Sequence, residues 1–279
     1  MRIACTGNLG FICSHLVDYL VDKGHEVAGI DYGTNHDFLN KDIKFYNIDI
    51  RDEEAMNKAF AEFKPEIVYH LAAVSRTPDA VNNPVKSVSI NDLGSTVVLE
   101  TARRFGVQKV VLASSNIVYA AETTYRSSKL AMELHARVYD SLYKLPTVCL
   151  RFSNVAGSNR QHEDNVLAAL SKSKKEKGRL TITGDGSQTR NFTYVMDVCE
   201  ALWLASQSDV RGTELDIMHP KTWELNQIAK MFDCPIDYIE DREGDIKHLK
   251  MGIGPEKAKE LIGFEAKTDL TEYIKVYTE

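Results

Sequence analysis

A glycine-rich turn near the start of the chain constrains its fold more than any other feature. The turn lies in TGNLGFICSHL, between a short predicted strand, Arg2 to Cys5, and an apolar-periodic helix that runs through Val21. This order is the context that a phosphate-binding loop requires, because the free N–H groups at the start of a helix attract anions. Gly7 permits the tight turn and Gly10 lets the backbone approach a pyrophosphate, whereas Cys13 replaces the third glycine, which would let helix and strand pack closely.

An acidic residue follows the second predicted strand, Glu26–Ile30, at the distance that a dinucleotide site requires. Asp31 comes 21 residues after Gly10. A carboxylate there accepts hydrogen bonds from an adenosine ribose and repels a 2′-phosphate, so it favours NAD over NADP. The alternative is an ordinary acidic loop residue after a strand.

Strands and helices alternate along the rest of the chain. This alternation predicts an α/β fold, with a doubly wound parallel sheet and a smaller, discontinuous α/β region. The predicted strands are Ile43–Ile48, Ile67–Leu71, Lys109–Ala113, Leu180–Thr183, Phe192–Val195 and Glu214–Met218. The predicted helices are Glu53–Phe63, Pro84–Phe105, Thr124–Tyr143, Asn165–Lys175, Met196–Ser206 and Trp223–Phe232, and a closing segment spans Pro255–Gly263.

Composition excludes several classes of function. The chain has 279 residues, 43% of them hydrophobic, enough for one large or two unequal domains. A net charge of −6 without a long basic run argues against a nucleic acid or an anionic membrane as partner. No apolar run is long enough to span a bilayer. The first strand, starting at Arg2, leaves no room for a signal peptide, and the five cysteines lack paired or metal-ligand spacing, so we expect a cytoplasmic protein without a metal.

A tyrosine and a lysine four residues apart supply the candidate chemistry. Tyr125 and Lys129 share one face of a predicted helix, so the ammonium can lie near the phenol. A lysine cation and a cationic nicotinamide would both favour the phenolate, which otherwise forms only near pH ~10. Ser115 follows a predicted strand, at the sheet edge where ligands bind in doubly wound folds. The alternatives are an exposed helical pair and a serine that caps a helix or forms a turn.

Seven ordered motifs carry a resemblance to a known family. They are TGNLGFICSHL, the acid at Asp31, HLAA, LASSNIVYA, YRSSK, LRFSNVAG and GDGSQTRNFTYVMDV. In this order they resemble the extended short-chain dehydrogenases/reductases, and within them the NAD-dependent nucleotide-sugar epimerases and dehydratases, most of all UDP-sugar 4-epimerases. The resemblance covers nearly the whole chain. It implies a Rossmann domain over residues 1–157, to which residues 184–207 return, and a mainly nucleotide-sugar-binding region over residues 158–279.

The resemblance also implies a role for individual residues. Tyr125 would be the acid/base, Lys129 its helper and a ribose ligand, and Ser115 a hydrogen-bond partner of the reacting hydroxyl. Residues implied to bind NAD are Gly7, Asn8, Leu9, Gly10, Phe11, Ile12, Asp31, Asp49, Ile50, Leu71, Ala72, Ala73, Asn91, Tyr125 and Lys129. Residues implied to bind a nucleoside-diphosphate sugar are Ser75, Asn154, Arg190 and Arg242. The two arginines suit a diphosphate because guanidinium groups bind phosphate oxygens bidentately, although each could instead pair with surface acids.

The residues that follow Ser115 narrow the reaction. The dehydratases that the chain resembles carry an Asp-Glu pair there, whereas this chain has Asn116 and Ile117. Isoleucine cannot transfer a proton, so 4,6-dehydration is disfavoured. The resemblance then implies epimerisation at C4 through a transient 4-keto sugar, with hydride passed to NAD and returned to the opposite face. The alternatives are an NAD(P)H-dependent keto-sugar reductase and a non-catalytic NAD- or nucleotide-sugar-binding protein.

Two further expectations come from the resemblance. Only Ala120 to Thr124 separate Tyr119 from Tyr125, where family members usually carry a considerably longer segment that helps to cover the sugar. A short connection would open the pocket, admit a larger sugar or impair catalysis. We also expect a homodimer formed through the helices Pro84–Phe105 and Thr124–Tyr143.

Overall fold

The computed structural model describes residues 1–119, 122–161, 165–240 and 254–279. Its strands are β1 (Arg2–Thr6), β2 (Glu26–Asp31), β3 (Lys44–Asn47), β4 (Ile67–His70), β5 (Lys109–Ser115), β6 (Thr147–Phe152), β7 (Asn154–Ala156), β8 (Leu180–Thr183), β9 (Thr189–Tyr194), β10 (Thr213–Ile217), β11 (Thr222–Glu224) and β12 (Ile236–Ile239). Its α-helices are α1 (Phe11–Asp22), α2 (Glu53–Phe63), α3 (Thr77–Asn82), α4 (Pro84–Val88), α5 (Ser95–Arg104), α6 (Thr124–Tyr143), α7 (Val166–Lys177), α8 (Val195–Gln207), α9 (Leu225–Lys230), α10 (Glu256–Ile262), α11 (Leu270–Tyr273) and α12 (Lys275–Thr278).

A seven-stranded parallel sheet forms the centre of the molecule. Its strand order is β10-β6-β5-β4-β1-β2-β3, so the chain runs outward from β1 in both directions. The strand order reverses between β1 and β4, and the carboxyl ends of these two strands border the crevice where doubly wound sheets bind ligands. The predicted doubly wound α/β fold is therefore confirmed.

Helices cover both faces of this sheet and bury its two apolar cores. On one face α1 and α8 contribute Leu16, Leu20 and Leu202. On the other face Phe60 of α2 and Met132 of α6 are at most 1% exposed. Each such side chain stabilises the fold by roughly 1.5–3 kcal/mol relative to an exposed position. Burial on both faces explains why the strand sequences read as continuous apolar runs.

The later part of the chain builds a smaller region beside the sheet. Here β7, β9 and β11 form one sheet and β8 and β12 another, around a third core that includes Leu180, Phe192 and Phe232. Two later elements, α8 and β10, instead belong to the large sheet and its core. The division of the chain at residue 157 stays a prediction.

The predicted helix Pro84–Phe105 is interrupted. The structure has α4, then a π-helical stretch, Ser89–Gly94, and then α5. Asn91 lies in the π-helical stretch, and its side-chain amide is hydrogen-bonded to both backbone groups of Val74. A π-helical stretch is typical of a place where a side chain is needed in a position that regular helix geometry does not provide.

One element boundary was predicted wrongly, and several short elements were missed. Trp223 and Glu224 lie in β11, which pairs with β9, and the predicted helix begins only at Leu225. Glu224 and Gln227 form a capping box, which fixes that start. The missed elements are α3, β6, β7, β12, α11 and α12, all of six residues or fewer. No helix in the described ranges is long and apolar enough to cross a membrane.

Candidate active site

A cleft of about 650 Å³ opens at the carboxyl ends of the central strands. Most of the predicted site residues line it, namely Gly7, Gly10, Phe11, Ile12, Asp31, Ile50, Leu71, Ala72, Ala73, Ser75, Ser115, Tyr125, Lys129 and Asn154. Asn8, Leu9, Asp49, Asn91 and Arg190 lie outside this lining. Arg242 falls outside the described residues. The cleft therefore joins the glycine turn and the Tyr/Lys helix in a single site.

The glycine turn is held tightly against the sheet. The Gly7 N–H donates to the Ile30 carbonyl at 2.8 Å, and the Gly10 N–H donates to the Gly7 carbonyl at 2.9 Å. Gly7 has φ of +81°, and a Cβ added there would lie 2.7 Å from the Ala72 nitrogen. Gly10 immediately precedes α1. The turn thus offers an N-terminal helix end, which suits a pyrophosphate.

Asp31 connects the glycine turn to the end of β2. Its carboxylate accepts hydrogen bonds from the N–H groups of Leu9 (3.0 Å), Tyr32 (2.8 Å) and Gly33 (3.1 Å). A carboxylate has about four lone-pair sites, so this one can also accept a ribose hydroxyl in the cleft. Leu9 therefore helps to position the Asp31 carboxylate through its backbone N–H. Asn8 is 2% exposed, and a Cβ added at Gly29 would lie 2.5 Å from its side chain.

Cys13, at the third glycine position, fills the contact between α1 and β1. It is 1% exposed, and its Sγ lies 3.6 Å from the Thr6 carbonyl oxygen. Burial raises the pKa of this thiol well above its usual value. Cys13 is therefore a neutral packing residue at the wall of the cleft.

Two polar residues behind the cleft support its wall. Asn91 accepts from the Val74 N–H at 2.7 Å, and its amide donates to the Val74 carbonyl at 3.1 Å and to Ser128 at 3.0 Å. It thereby ties the chain after β4 to α6. Asp49 accepts hydrogen bonds from Arg51, at 3.0 Å from its Nε, which hold the pKa of the carboxyl below its usual value.

His70 is a buried structural residue. Its ring nitrogens lie 2.7 Å from the Thr6 hydroxyl and 2.8 Å from the Ser95 hydroxyl. Ser95 donates to the Asn91 carbonyl, and Thr6 accepts from the Ala72 N–H. This chain of bonds requires the Nε2–H tautomer, in which Ser95 accepts from the ring and Thr6 donates to it. Burial lowers the pKa of His70 to about 3, so the ring is neutral.

Ser115, Tyr125 and Lys129 meet at the other end of the cleft. The Lys129 ammonium lies 6.0 Å from the centre of the Tyr125 ring and donates to the Ala113 carbonyl at 2.8 Å. Burial lowers the pKa of Lys129 to about 8. Burial also raises the pKa of Tyr125 to about 12, an effect that a hydrogen bond with Ser115 partly offsets. Within the protein alone, Tyr125 is thus a neutral phenol at physiological pH, and its ionisation requires additional positive charge.

The wall of the cleft around Ser75 and Asn154 contains residues that the sequence analysis did not single out. Arg76, Thr77, Pro78, Gln161 and Asn165 line the cleft together with the predicted Ser75 and Asn154. Arg76 directly follows Ser75, a predicted substrate-binding residue, and this position is the feature of the sequence that could have identified it. Nothing local in the sequence identified Gln161 or Asn165. The Asn154 amide donates to the Asn191 carbonyl at 2.9 Å, and the Arg190 guanidinium donates to the Thr189 carbonyl at 2.8 Å.

No metal centre is visible in the part of the chain that the structure describes. There, no three His, Cys, Asp or Glu side chains form a group that could hold a metal ion. The cysteines are free thiols, and most of them are buried.

Comparison with known proteins gives consistent results. The model of the NAD dependent epimerase/dehydratase family matches residues 3–218. The UDP-glucose 4-epimerase of Mycolicibacterium smegmatis is 31% identical over 304 aligned positions, which cover 98% of this chain and 96% of that protein. The alignment is longer than the 279-residue chain, so the relative carries residues that this chain lacks.

Two solved structures extend this similarity to the whole fold. The Thermotoga maritima UDP-glucose 4-epimerase with UDP-glucose has a TM-score of 0.92 at 29% identity and covers 100% of this chain and 97% of its own. The Thermus thermophilus UDP-glucose 4-epimerase complex with NAD has a TM-score of 0.88 at 29% identity and covers 100% and 98%. The family match spans most of the chain and includes the glycine turn, Asp31 and the Ser115, Tyr125 and Lys129 set. The chain belongs to the NAD dependent epimerase/dehydratase family.

Proposed function

We propose that this chain epimerises a UDP-sugar at C4 through a transient 4-keto sugar, with Tyr125 as acid/base. One observation carries the proposal. The Ser115, Tyr125 and Lys129 side chains lie in the same cleft as the glycine turn and Asp31. A dinucleotide held by the turn and by Asp31 would extend toward Tyr125. The similarity to UDP-glucose 4-epimerases supports the choice of reaction.

The residues of the cleft fit NAD, the cofactor of this family. The start of α1 would hold the pyrophosphate, Asp31 an adenosine ribose hydroxyl, and Lys129 the ribose near the reacting centre. When bound, NAD supplies a hydride acceptor and donor next to the sugar. Its positive nicotinamide would favour the Tyr125 phenolate, which burial alone disfavours.

Tyr125 would then handle the proton of the reaction. As phenolate it accepts the proton of the C4 hydroxyl, while Ser115 holds that hydroxyl in place. The keto sugar would turn within the cleft and present the opposite face of C4 for the return of hydride, while Tyr125 gives the proton back to the C4 oxygen. Ser75 and Asn154 would hold the sugar nucleotide, with Arg190 and Arg242 on its diphosphate. Ile117 lines the cleft where a dehydratase needs a proton donor, which supports epimerisation over dehydration.

A homodimer is part of the proposal. Exposed apolar side chains cluster on α4, the π-helical stretch and α6, including Val85, Val88, Leu93, Leu134 and Leu142. Patches of this kind mark protein–protein contacts. The α4 and α6 helices are neighbours in the fold, so their apolar faces would form one continuous surface for a second copy of the chain.

We place the reaction in the cytoplasm. The five cysteines are all free, and the Cys5, Cys13, Cys149 and Cys199 thiols are buried. Unpaired thiols are typical of proteins in a reducing compartment.

Proton NMR of the sugar H1 and H4 signals tests the proposed reaction. The protein is incubated separately with UDP-glucose, UDP-N-acetylglucosamine and UDP-glucuronate. We expect epimer signals with at least one substrate, no net NADH release, and loss of turnover by about 10²-fold or more in Tyr125→Phe. Net consumption of NADH with a keto sugar would support a reductase instead. Bound NAD without turnover of any substrate would support a binding protein, an outcome that Cys13 and the short 120–124 connection would help to explain.

A further inference from the structure

Three side chains on one stripe of α6 reach three consecutive residues of β5. The pairs are Tyr125 with Ser115, Lys129 Nζ with the Ala113 carbonyl (2.8 Å), and Glu133 Oε1 with the Ser114 hydroxyl (2.6 Å). Residues four apart share one helix face, so the third contact continues the row begun by the two catalytic ones. Glu133 is the member of this row that the proposed mechanism leaves without a role.

Glu133 is a fully buried carboxylate with fixed partners. It is 0% exposed, and Arg151 of β6 binds it bidentately, with Nε 2.8 Å from Oε1 and Nη2 2.6 Å from Oε2. Arg151 also donates to the Tyr119 hydroxyl, which in turn donates to Asp216 at 3.1 Å. A buried ion pair of this kind stabilises a fold no better than apolar packing of the same size. The ion pair is therefore more informative about how these side chains are positioned than about the stability of the fold.

The ion pair fixes where α6 sits relative to the reacting groups. Ser114 and Arg151 are register partners on adjacent strands, so Glu133 is clamped to two neighbouring strands at once. A slide of α6 along β5 would break both contacts. The same slide would also separate Tyr125 from Ser115.

Glu133 also acts on the charge of Lys129. Burial has the largest effect on the pKa of Lys129 and lowers it, whereas the side chain of Cys149 and the carboxylate of Glu133, one turn along the helix, raise it. Three further titratable groups near this site are uncharged near neutral pH. The His70 ring of β4 has its pKa lowered by burial, the Cys149 thiol of β6 has its pKa raised, and the Tyr125 pKa is also raised. The cation of Arg151 is paired with the same carboxylate.

We propose that Glu133 is a positioning residue of the active site, which holds Tyr125 against Ser115 and keeps Lys129 charged during turnover. This inference rests on the proposed function for its effect on rate. Its effect on Lys129 holds for any reaction in this cleft.

Two substitutions at residue 133 separate charge from shape. Glu133→Gln keeps the size and an acceptor oxygen but removes the charge, whereas Glu133→Asp keeps the charge and shortens the side chain. We expect Glu133→Gln to lower kcat by about tenfold or more with little change in KM, because the bound sugar is held elsewhere. The alkaline limb of the kcat profile should move down by about 1 pH unit, since Lys129 loses its neighbouring anion. Glu133→Asp should leave that limb in place.

A matched control comes from the same helix. Asp140 of α6 pairs with Arg211 at 2.7 Å, two turns beyond Glu133, and does not line the cleft. Asp140→Asn should leave kcat and the pH profile as in the wild type. An unmoved alkaline limb in Glu133→Gln, with kcat lowered no more than in Asp140→Asn, would overturn the proposal.

A titration that needs no turnover keeps the two proposals apart. Lysine labelled with ¹³C at the ε-carbon reports its own ionisation, and the Lys129 signal is the one missing in Lys129→Arg. A fall in the Lys129 pKa in Glu133→Gln would support the inference even if the wild type epimerises none of the sugars. An unchanged pKa would contradict it even in an active enzyme.

If Glu133→Gln does not fold, Ser114→Ala provides a second test, because it removes the neutral contact only. Ser114→Ala should lower kcat without moving the alkaline limb. A wild-type kcat in that variant would overturn the positioning role.

Discussion

Gly7 is the residue on which the cofactor end of the cleft depends most directly. Gly7 and Gly24 have nearly equal φ values, +81° and +79°, but a Cβ at Gly24 would meet nothing within 4 Å. At Gly7 it would lie 2.7 Å from the Ala72 backbone nitrogen. Gly24→Ala should therefore lower the free energy of unfolding only by the strain of a left-handed residue, about 1–2 kcal/mol, and leave bound NAD unchanged.

Gly7→Ala should lower the free energy of unfolding more than Gly24→Ala does, because the new methyl group displaces the chain after β4. We expect its NAD affinity to fall by about tenfold or more, since the turn no longer presents its N–H groups correctly. Denaturant unfolding and the NAD content of purified protein measure the two effects. Equal losses of stability and full NAD content in both variants would show that the close approach to Ala72 is unimportant.

Arg76 gives a positive charge to the end of the cleft where the proposed sugar would lie. It lines the cleft beside Ser75, and its guanidinium lies 3.5 Å from the Asp79 carboxylate, a long and partly exposed pair. A carboxylate on the substrate sugar would form charge-assisted hydrogen bonds with such a group, worth about 1.5–3 kcal/mol. Arg76→Gln should therefore weaken binding of UDP-glucuronate by about 10-fold or more and that of UDP-glucose by about threefold or less.

Calorimetric titration of the NAD-loaded protein measures both affinities without turnover. Arg76→Lys serves as the matched variant, because it keeps the charge and loses the planar fork. Arg76→Lys should retain most of the preference for UDP-glucuronate over UDP-glucose. An equal loss for both sugars in Arg76→Gln would place the guanidinium at a part that the two ligands share, such as the diphosphate.

At the scale of elements, α6 has two faces with different tasks. Its inner face carries Tyr125 and Lys129, whereas Leu134 and Leu142 on its outer face are 55% and 64% exposed. If the outer face meets a second copy, charges placed there must be buried without partners. Leu134→Glu combined with Leu142→Glu should convert a dimer into a monomer, as measured by light scattering during gel filtration.

The control for this change is another exposed leucine. Leu261 of α10 is 40% exposed and belongs to neither helix of the proposed interface. Leu261→Glu should leave the mass unchanged. A wild type that is already monomeric at micromolar concentration would remove the dimer proposal.

Over the whole molecule, the sequence predicted what depends on short-range pattern. The parallel sheet, the glycine turn and the Tyr125–Lys129 face follow from alternation, from glycine conformation and from helical spacing. The sequence pattern did not predict contacts between distant segments of the chain. Asn91 meeting Val74 and Arg151 clamping Glu133 depend on how strands are ordered in the sheet. The rise in the Tyr125 pKa likewise follows from burial, which local pattern does not reveal.

The C-terminal end of the chain provides another contact between distant segments. Tyr277 of α12 is 4% exposed. Its hydroxyl accepts from the Gly157 N–H at 2.8 Å and donates to the side-chain oxygen of Gln161. The Gln161 amide in turn donates to the Val155 carbonyl at 2.7 Å, and Gln161 lines the cleft. The Tyr277 hydroxyl therefore fixes the wall of the cleft at Gln161.

Tyr277→Phe removes that hydroxyl. The Gly157 N–H and the Gln161 side-chain oxygen then lose their hydrogen-bond partner. We expect the free energy of unfolding to fall by about 1–3 kcal/mol and KM for the sugar nucleotide to rise more than kcat falls, because Gln161 moves while Tyr125 does not. Tyr238→Phe is the control, since the Tyr238 hydroxyl bonds Asn226 at an exposed site and should matter by less than about 0.5 kcal/mol. A Tyr277→Phe enzyme that loses stability at unchanged KM would show that the wall keeps its shape without the terminal helix. A rise in KM would instead make the C-terminal end of the chain a structural part of the substrate site.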